Sequence, residues 1–302
     1  ELFRNILSGN FQFKLIGLVN IITTISNFIL LFIFVVALKL GLMGLVYARL
    51  ISRVLALFFM IFTAKISFKL EFNTRKLKDL LTFGFPLYID TVLDFLYSRT
   101  DTFLIGALLG TTEIAFYEVA RQIPDGLTIL YTAFQQVYFS FISKLYSNQQ
   151  FKKVMDMLNH SNRLFAFFGM LGAIIAFTFG EKIIGLLFSQ QYLTSSVAFA
   201  ILMLHLTFLL IDHNLGFTLV AIGDSNKPPI INAAQTLVSL AGYALLIPKL
   251  SIVGAAIASL TGTIIVNPLN VFFLNKKNIA VNMDAYIKPY LVLIGSLFIL
   301  YL

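Results

Sequence analysis

The sequence predicts an all-α fold, a polytopic bundle of about nine transmembrane helices. The chain is 59% hydrophobic and only 12% charged, whereas soluble domains contain about 25% charged residues. Its apolar stretches are also long enough for bilayer-crossing helices, which need about 20 residues each. In chain order, the predicted spans are 15–38, 42–64, 80–109, 112–142, 163–180, 192–222, 228–248, 250–275 and 284–302.

Basic residues alternate between the linkers and predict the orientation of the spans. Of the 22 Lys and Arg residues, fifteen lie on linkers on the side of the N-terminal end, and only Lys39, Lys182 and Lys249 lie on the opposite side. Because Lys-rich and Arg-rich loops stay in the cytoplasm, we expect a multi-pass protein of the plasma membrane with a cytoplasmic N-terminal end. This asymmetry accounts for the net charge of +8, so we expect membrane lipid, and not nucleic acid, as a partner.

An internal repeat relates two pairs of spans. Three residues of the second span recur 210 positions later in the eighth: Gly44, Ala48 and Leu50 match Gly254, Ala258 and Leu260. This displacement corresponds to six spans, and an even number of spans preserves orientation. The pattern therefore predicts a parallel repeat, an architecture that recurs in transporters.

The repeat predicts a boundary between the second and third spans. Residues 1–64 then hold the last two helices of an N-terminal lobe, and residues 80–275 form a C-terminal six-helix lobe. Between them, residues 65–79 are strongly charged with spaced apolar residues, which predicts an amphipathic cytoplasmic linker. Residues 143–162 look like a second amphipathic connector, and 284–302 would be an additional transmembrane helix.

Motifs along the chain carry a family resemblance. The longest reads Arg99-Thr-Asp101-Thr-Phe-Leu-Ile-Gly106-Ala-Leu-Leu-Gly110, followed by Ile114-Ala-Phe-Tyr117-Glu-Val-Ala120. With Leu80-Leu-Thr-Phe-Gly84-Phe-Pro86 and Gly223-Asp224-Ser-Asn226, it resembles Wzx-like polysaccharide-biosynthesis flippases. These belong to the MATE-like multidrug/oligosaccharidyl-lipid/polysaccharide exporter superfamily. The resemblance covers essentially the whole chain.

The resemblance implies a two-lobed transporter whose central cavity opens alternately to each side of the membrane. Its substrate would be an oligosaccharide linked to an isoprenoid pyrophosphate. Independently of the resemblance, we do not expect an enzyme, because the linkers leave no room for a soluble catalytic domain. The chain opens with Glu1 rather than Met, so we expect a fragment of a longer protein. A cation-coupled multidrug exporter is the alternative within transport, and a membrane-embedded glycosyltransferase is the alternative from another class.

Four arginines inside predicted spans are the candidate substrate-binding residues: Arg49, Arg53, Arg99 and Arg121. An arginine at mid-bilayer costs about 2.5–3.5 kcal/mol on insertion scales, so these side chains should face protein or water. The planar guanidinium makes two parallel bonds to phosphate, which suits a pyrophosphate group. The alternative is local charge pairing, because Glu118, Arg121 and Asp125 stand at helical spacing.

Acidic residues inside the spans predict either cation coupling or charge balance. Asp90 and Asp94 share one helix face in the third span, and Asp101 follows them. Paired buried carboxylates can bind Na⁺ or exchange H⁺, which makes both ions candidate coupling partners; neutralising the arginines is the alternative. Asp212 and His213, with His205 two turns earlier, suggest a proton relay or, alternatively, histidines that are satisfied within the helix.

Glycine and proline residues interrupt several spans and predict hinges. Gly84, Pro86 and Pro124 are the candidates, since proline removes a backbone hydrogen bond and permits bending. No cysteine is present, no phosphate-binding glycine loop is recognisable, and no His or Cys spacing suits a metal cluster. The sequence therefore predicts no metal site, cofactor or catalytic residue.

Overall fold

The structure, a computed structural model, describes Leu7 and residues 12–64 and 74–282. Every element within these ranges is helical, which confirms the all-α prediction there. The predicted ninth span and residues 65–73 of the predicted linker lie outside the described residues.

The chain divides into two compact units, residues 1–73 and 74–302. The described part of the first unit is a helical hairpin. Helix α1 spans Phe13–Leu31 and continues through one wide π-helical segment, Phe32–Ala37. Helix α2 spans Gly41–Ala64 and packs against α1.

The described part of the second unit contains five long helices. These are α3 (Thr74–Leu109), α4 (Thr111–Ser147), α5 (Phe151–Leu187), α6 (Ser196–Ala221) and α7 (Lys227–Lys276), with a short 3-10 helix at Gln190–Ser195 before α6. Helix α6 packs against α4, α5 and α7, while α3 packs against α7. Buried residues occur all round helix α6, as expected of a helix surrounded by others. It therefore lies at the centre of the unit.

Helix α7 is a hairpin of two antiparallel halves. Its backbone leaves helical geometry at Ser251, where φ is 54° and ψ is −137°. Hydrogen bonds then join the halves: Gln235 Nε2 donates to Thr263 Oγ1 at 2.9 Å, and the Tyr243 and Ser259 hydroxyls lie 2.8 Å apart. The break falls beside the predicted junction of the seventh and eighth spans.

The hairpin of α1 and α2 and the hairpin within α7 share two features: a turn residue with positive φ and a glycine where the two helices touch. Gly41, with φ of 55°, stands 210 positions before Ser251, and both turn the chain between antiparallel helices. A Cβ on Gly44 would lie 2.9 Å from the Phe34 carbonyl oxygen, and one on Gly254 would meet the Leu246 carbonyl oxygen. Glycine is therefore required at both positions, because any side chain would collide with backbone atoms.

Helix α5 is longer than its predicted span. The sequence predicted a span at 163–180 and a separate connector before it, but one continuous helix of 37 residues begins at Phe151. Val154 and Leu158 are fully buried in a cluster that includes Ile142 at the end of α4. This packing explains why the apolar residues of the predicted connector are helically spaced, because they form the buried face of α5.

Five helical segments are long and apolar enough to cross a membrane, among the residues that the structure describes. They are Phe13–Ala37, Gly41–Phe62, Phe151–Leu187, Gln190–Ala221 and Lys227–Lys276, the last counted once although Ser251 divides it. Helix α4 falls outside this set; it carries four ionisable residues in its first fifteen and the pair Gln135 and Gln136 further on. The protein is thus a multi-pass membrane protein, but the count of nine spans is not confirmed.

Candidate functional site

A polar cluster joins α3 to α4 around one buried carboxylate. Asp101 is only 6% exposed. The Tyr117 hydroxyl donates to Asp101 Oδ2 at 2.9 Å, and Arg121 Nη1 lies 3.3 and 3.2 Å from the two carboxylate oxygens. The carboxylate therefore accepts hydrogen bonds from two side chains of the neighbouring helix.

The tight connection between α3 and α4 produces this arrangement. Gly110 turns the chain with φ of 98°, and a Cβ on Gly106 would lie 2.7 Å from the Ile114 side chain, so the two helices approach closely. Tyr117 and Arg121 stand four residues apart on one face of α4. That face meets Asp101 across the junction.

The remaining charges of the cluster balance Arg121. Its Nε donates to Asp125 Oδ2 at 3.1 Å, and Asp125 is more than half exposed. Thr102 Oγ1 donates to Glu118 Oε1 at 3.2 Å. Arg121 is therefore shared between one buried and one exposed carboxylate, which is the geometry of a charge-balanced link between helices.

The other predicted arginines lie elsewhere. Arg49 and Arg53 are exposed on one face of α2, in the first unit, and Ser52 Oγ donates to the Arg49 carbonyl at 3.1 Å. Arg99 is exposed on α3, two residues before Asp101. Only Arg121, of the four, is brought against a described carboxylate.

The predicted hinge residues and the other acids also fall within helices. Gly84 and Pro86 lie in α3 and Pro124 is buried in α4, and both helices continue across them. Asp90 and Asp94 belong to α3, but their side chains are outside the described part of the structure. Their roles stay predictions.

A second buried carboxylate lies between α6 and α7. Asp212 is 4% exposed, and Asn270 Nδ2 donates to its Oδ1 at 2.7 Å. On the same helix, His205 Nε2 lies 3.0 Å from Thr263 Oγ1, and the His213 ring packs on Tyr131 with centroids 5.9 Å apart. The Asp212 and Asn270 pair was not anticipated from the sequence, because 58 positions separate the two residues.

Several buried polar atoms of α4, α6 and α7 have no hydrogen-bond partner. Within the described ranges, the buried side-chain atoms without one are Tyr131 Oη, Asn214 Oδ1, Ser239 Oγ, Asn267 Oδ1 and Asn270 Oδ1. Three of the five are amide oxygens, which can only accept. In the same ranges, no group of three or more His, Cys, Asp or Glu residues is arranged to hold a metal.

Comparison of the sequence with known proteins gives a consistent result. A family model described as polysaccharide biosynthesis protein matches residues 4–197. The capsular polysaccharide biosynthesis protein CapF of Staphylococcus aureus is 25% identical over 191 residues, covering 63% of this chain and 48% of CapF. A Shigella flexneri protein named as an O-antigen transporter is 24% identical over 265 residues, covering 85% of this chain and 62% of that protein. The chain thus spans between about half and two thirds of these relatives.

Solved structures resemble the fold of the chain. A point mutant of the Vibrio cholerae MATE transporter VcmN is similar with a TM-score of 0.80 and 19% identity, covering 91% of this chain and 65% of VcmN. A transporter of the MOP superfamily from Pyrococcus furiosus gives a TM-score of 0.74 at 16% identity, covering 86% of this chain and 61% of its own. At these identities the likeness shows the fold alone, which is that of MATE transporters.

Proposed function

Because the chain belongs to the polysaccharide biosynthesis protein family, we propose that the full-length protein is a lipid-linked oligosaccharide flippase. It would move an isoprenoid-pyrophosphate-linked oligosaccharide across the plasma membrane for cell-surface polysaccharide synthesis. The observation that carries this proposal is the match to that family over 194 residues of a chain with a MATE transporter fold.

Such a substrate needs a protein because its two ends have opposite requirements. The sugars and the pyrophosphate cannot enter hydrocarbon without losing their hydration, at a cost of several kcal/mol for each unpaired polar group. The isoprenoid tail, in contrast, can stay in lipid. A polar, cationic cavity that opens sideways to the bilayer would carry the head group while the tail remains outside.

We assign the spans and lobes within this proposal as the sequence suggested. The hairpin of α1 and α2, within residues 1–64, would contribute the last two helices of an N-terminal lobe, followed by the linker 65–79. Residues 80–275 would form the C-terminal lobe and 284–302 a ninth span, with the N-terminal end cytoplasmic. The similarity of the two hairpins supports this two-lobed assignment.

The pyrophosphate is assigned to Arg49 and Arg53. These side chains are exposed and lie one helical turn apart on α2, so their guanidinium groups can reach one ligand together. Arg121 is already shared between Asp101 and Asp125, which gives it a structural role. Arg99 is the next candidate for binding the pyrophosphate. Gly84, Pro86 and Pro124 keep their assignment as hinges for alternating access.

The proposal is tested by complementation of a flippase-deficient strain with the full-length protein. Each Arg→Ala change removes charge-assisted hydrogen bonds worth about 1.5–3 kcal/mol, so we expect transport to fall about 10- to 100-fold at normal abundance. Lys at the same position should restore activity only in part, because it keeps the charge without the bidentate geometry. Arg163→Ala is the matched control, an exposed arginine of α5 at the first residue of the predicted fifth span.

Two outcomes would contradict this assignment. Normal complementation by an Arg49→Ala/Arg53→Ala double variant would remove the proposed site. Failure of the unaltered protein to complement, together with sodium- or proton-driven efflux of cationic dyes, would favour a cation-coupled multidrug exporter. That second function is favoured by the fold, because solved structures that resemble the chain include one described as a multidrug resistance MATE family transporter.

A further inference from the structure

We propose that the predicted ninth span, residues 284–302, packs along an exposed apolar face of α5. This interaction surface lies within the second unit and is separate from the arginines assigned to the substrate and from the cluster around Asp101. Residues 284–302 lie outside the described residues, whereas the face of α5 and the segment that leads to it, residues 279–282, lie within them.

The segment after α7, residues 279–282, is bound to the beginning of α5, and we call it the strap. The side-chain amide of Asn159 forms two hydrogen bonds with the strap backbone. Its Nδ2 donates to the Ala280 carbonyl oxygen at 3.1 Å, and its Oδ1 accepts from the Asn282 amide at 2.8 Å. The Ala280 amide donates to Met155 Sδ at 3.3 Å. Asn159 thus supplies both a donor and an acceptor to the strap, which fixes its position along α5.

Burial of alternate side chains holds the strap on the same helix. Ile279 is fully buried and Val281 is 9% exposed, and both belong to the cluster that contains Val154 and Leu158 of α5. The side chains between and after them, at positions 280 and 282, are exposed, which is the alternation of an extended chain. The strap therefore leads the chain away from the end of α7 and across to α5.

The strap brings the start of the ninth span to α5. Asn282 is the last described residue, and the predicted span begins two residues later. Two residues of extended chain reach about 7 Å, and packed helices lie about 8–10 Å apart. The span therefore begins within packing distance of α5. Without the strap, α7 would be the expected neighbour, because consecutive elements usually pack together.

An exposed apolar row of α5 begins close to the point where the strap ends. Phe167, Leu171, Ile175 and Phe179 are 60, 46, 43 and 48% exposed. They follow one another at intervals of four, and Asn159 belongs to the same row, eight positions before Phe167. Side chains four residues apart form one of the ridges along which helices pack. The row from Phe167 to Phe179 is about 18 Å long and a helix of 19 residues about 28 Å, so the span can cover it.

The sequence of the ninth span suits close packing against this row. Gly295 and Ser296 lie near its middle, and small residues let helices approach closely within a membrane. Both helices would leave the same side of the membrane and rise about 1.5 Å per residue. Because Asn282 lies beside Asn159, Gly295 then falls near the level of Leu171.

Lipid is the other occupant that an exposed apolar face can have in a membrane. The span is favoured because the strap tethers it at the face, where its effective concentration is about millimolar or higher. The second unit would then carry the ninth span with it during alternating access, and this role rests on the proposed function. The packing itself does not depend on the substrate, so its failure and the failure of the flippase proposal are distinguishable.

The experiment is disulfide cross-linking of the full-length protein in membranes. Leu171→Cys is combined with cysteine at each position from 290 to 299 in turn, and the linked peptides are quantified by mass spectrometry after oxidation. Disulfides form between residues whose Cα atoms lie within about 7 Å. We expect fast cross-linking at two or three positions near Gly295, spaced by three or four residues as on one helix face. Ile265→Cys is the matched control, since it is 58% exposed on the second half of α7 at a similar depth.

A further variant tests the strap itself. Asn159→Ala removes both hydrogen bonds to the strap backbone, so cross-linking from Leu171→Cys should become about tenfold slower. Asn148→Ala changes an exposed asparagine at the end of α4 and should leave the rate unchanged.

Three results would overturn the proposal. Cross-linking from Ile265→Cys in place of Leu171→Cys would put the ninth span against α7. Absence of cross-linking from both positions would leave the face of α5 to lipid. An unchanged rate in Asn159→Ala would show that the strap does not position the span.

Discussion

Two buried aspartates of the second unit, Asp101 and Asp212, have different kinds of hydrogen-bond partner. Asp101 receives a guanidinium and a phenol from α4, at 3.2 and 2.9 Å from its Oδ2. Asp212 receives an amide from α7, and the oxygen of that same amide is left without a partner. Two side chains of one neighbouring helix hold the first carboxylate, whereas the second is met by an amide whose oxygen has no partner. We infer that the first links α3 to α4 through a charge pair and that the second joins α6 to α7 through a neutral amide.

The largest expected effect follows from removing the cation of the first site. Arg121→Met leaves Asp101 buried without its charged partner, which should lower the free energy of unfolding by about 3–5 kcal/mol. Denaturant titration of the purified full-length protein measures this change. Asp125→Asn removes only the exposed partner and should cost at most about 1 kcal/mol. Equal costs for the two variants would show that the buried pair adds nothing beyond a surface one.

A smaller effect should separate two tyrosines of α4. Tyr117→Phe removes a hydrogen bond to a charged carboxylate, so we expect a loss of about 1.5–3 kcal/mol in the free energy of unfolding. Tyr131→Phe removes a hydroxyl that has no partner, so stability should stay within about 0.5 kcal/mol of the unaltered protein. Denaturant titration of the two variants measures both changes. Equal losses would show that the hydrogen bond from Tyr117 to Asp101 adds nothing to stability.

The smallest effect tests what a buried, unpartnered hydroxyl contributes to stability. Ser239 Oγ is buried and unpartnered on the first half of α7 and faces Gly262 on the second. Ser239→Ala should leave stability unchanged or raise it by up to about 1 kcal/mol, because the polar atom is removed without leaving a partner behind. Ser259→Ala should cost about 1 kcal/mol, because it removes the hydrogen bond between the Ser259 and Tyr243 hydroxyls.

Denaturant titration of the two serine variants decides this point. A loss of stability in Ser239→Ala as large as that in Ser259→Ala would show that the Ser239 hydroxyl is not an unsatisfied group.

Much of the fold follows from local patterns in the sequence. Long apolar stretches and low charge predicted a multi-pass helical membrane protein, and the run from Arg99 to Gly110 predicted the family, which the match over residues 4–197 confirms. The glycine pair Gly44 and Gly254 indicated the repeated hairpin. These features depend on residues within one helix or one turn, where spacing alone determines which side chains share a face.

The sequence by itself thus determined the class of protein, its family and the helical pairing of Arg121 with Asp125. Tertiary structure decided that Asp101 completes the charge balance of Arg121 from the neighbouring helix, that α5 extends to Phe151, and that Asn270 faces Asp212. The reason is physical: contacts between side chains 20 or 58 positions apart depend on how helices pack and turn, and in an apolar bundle any of several polar residues would serve as the partner.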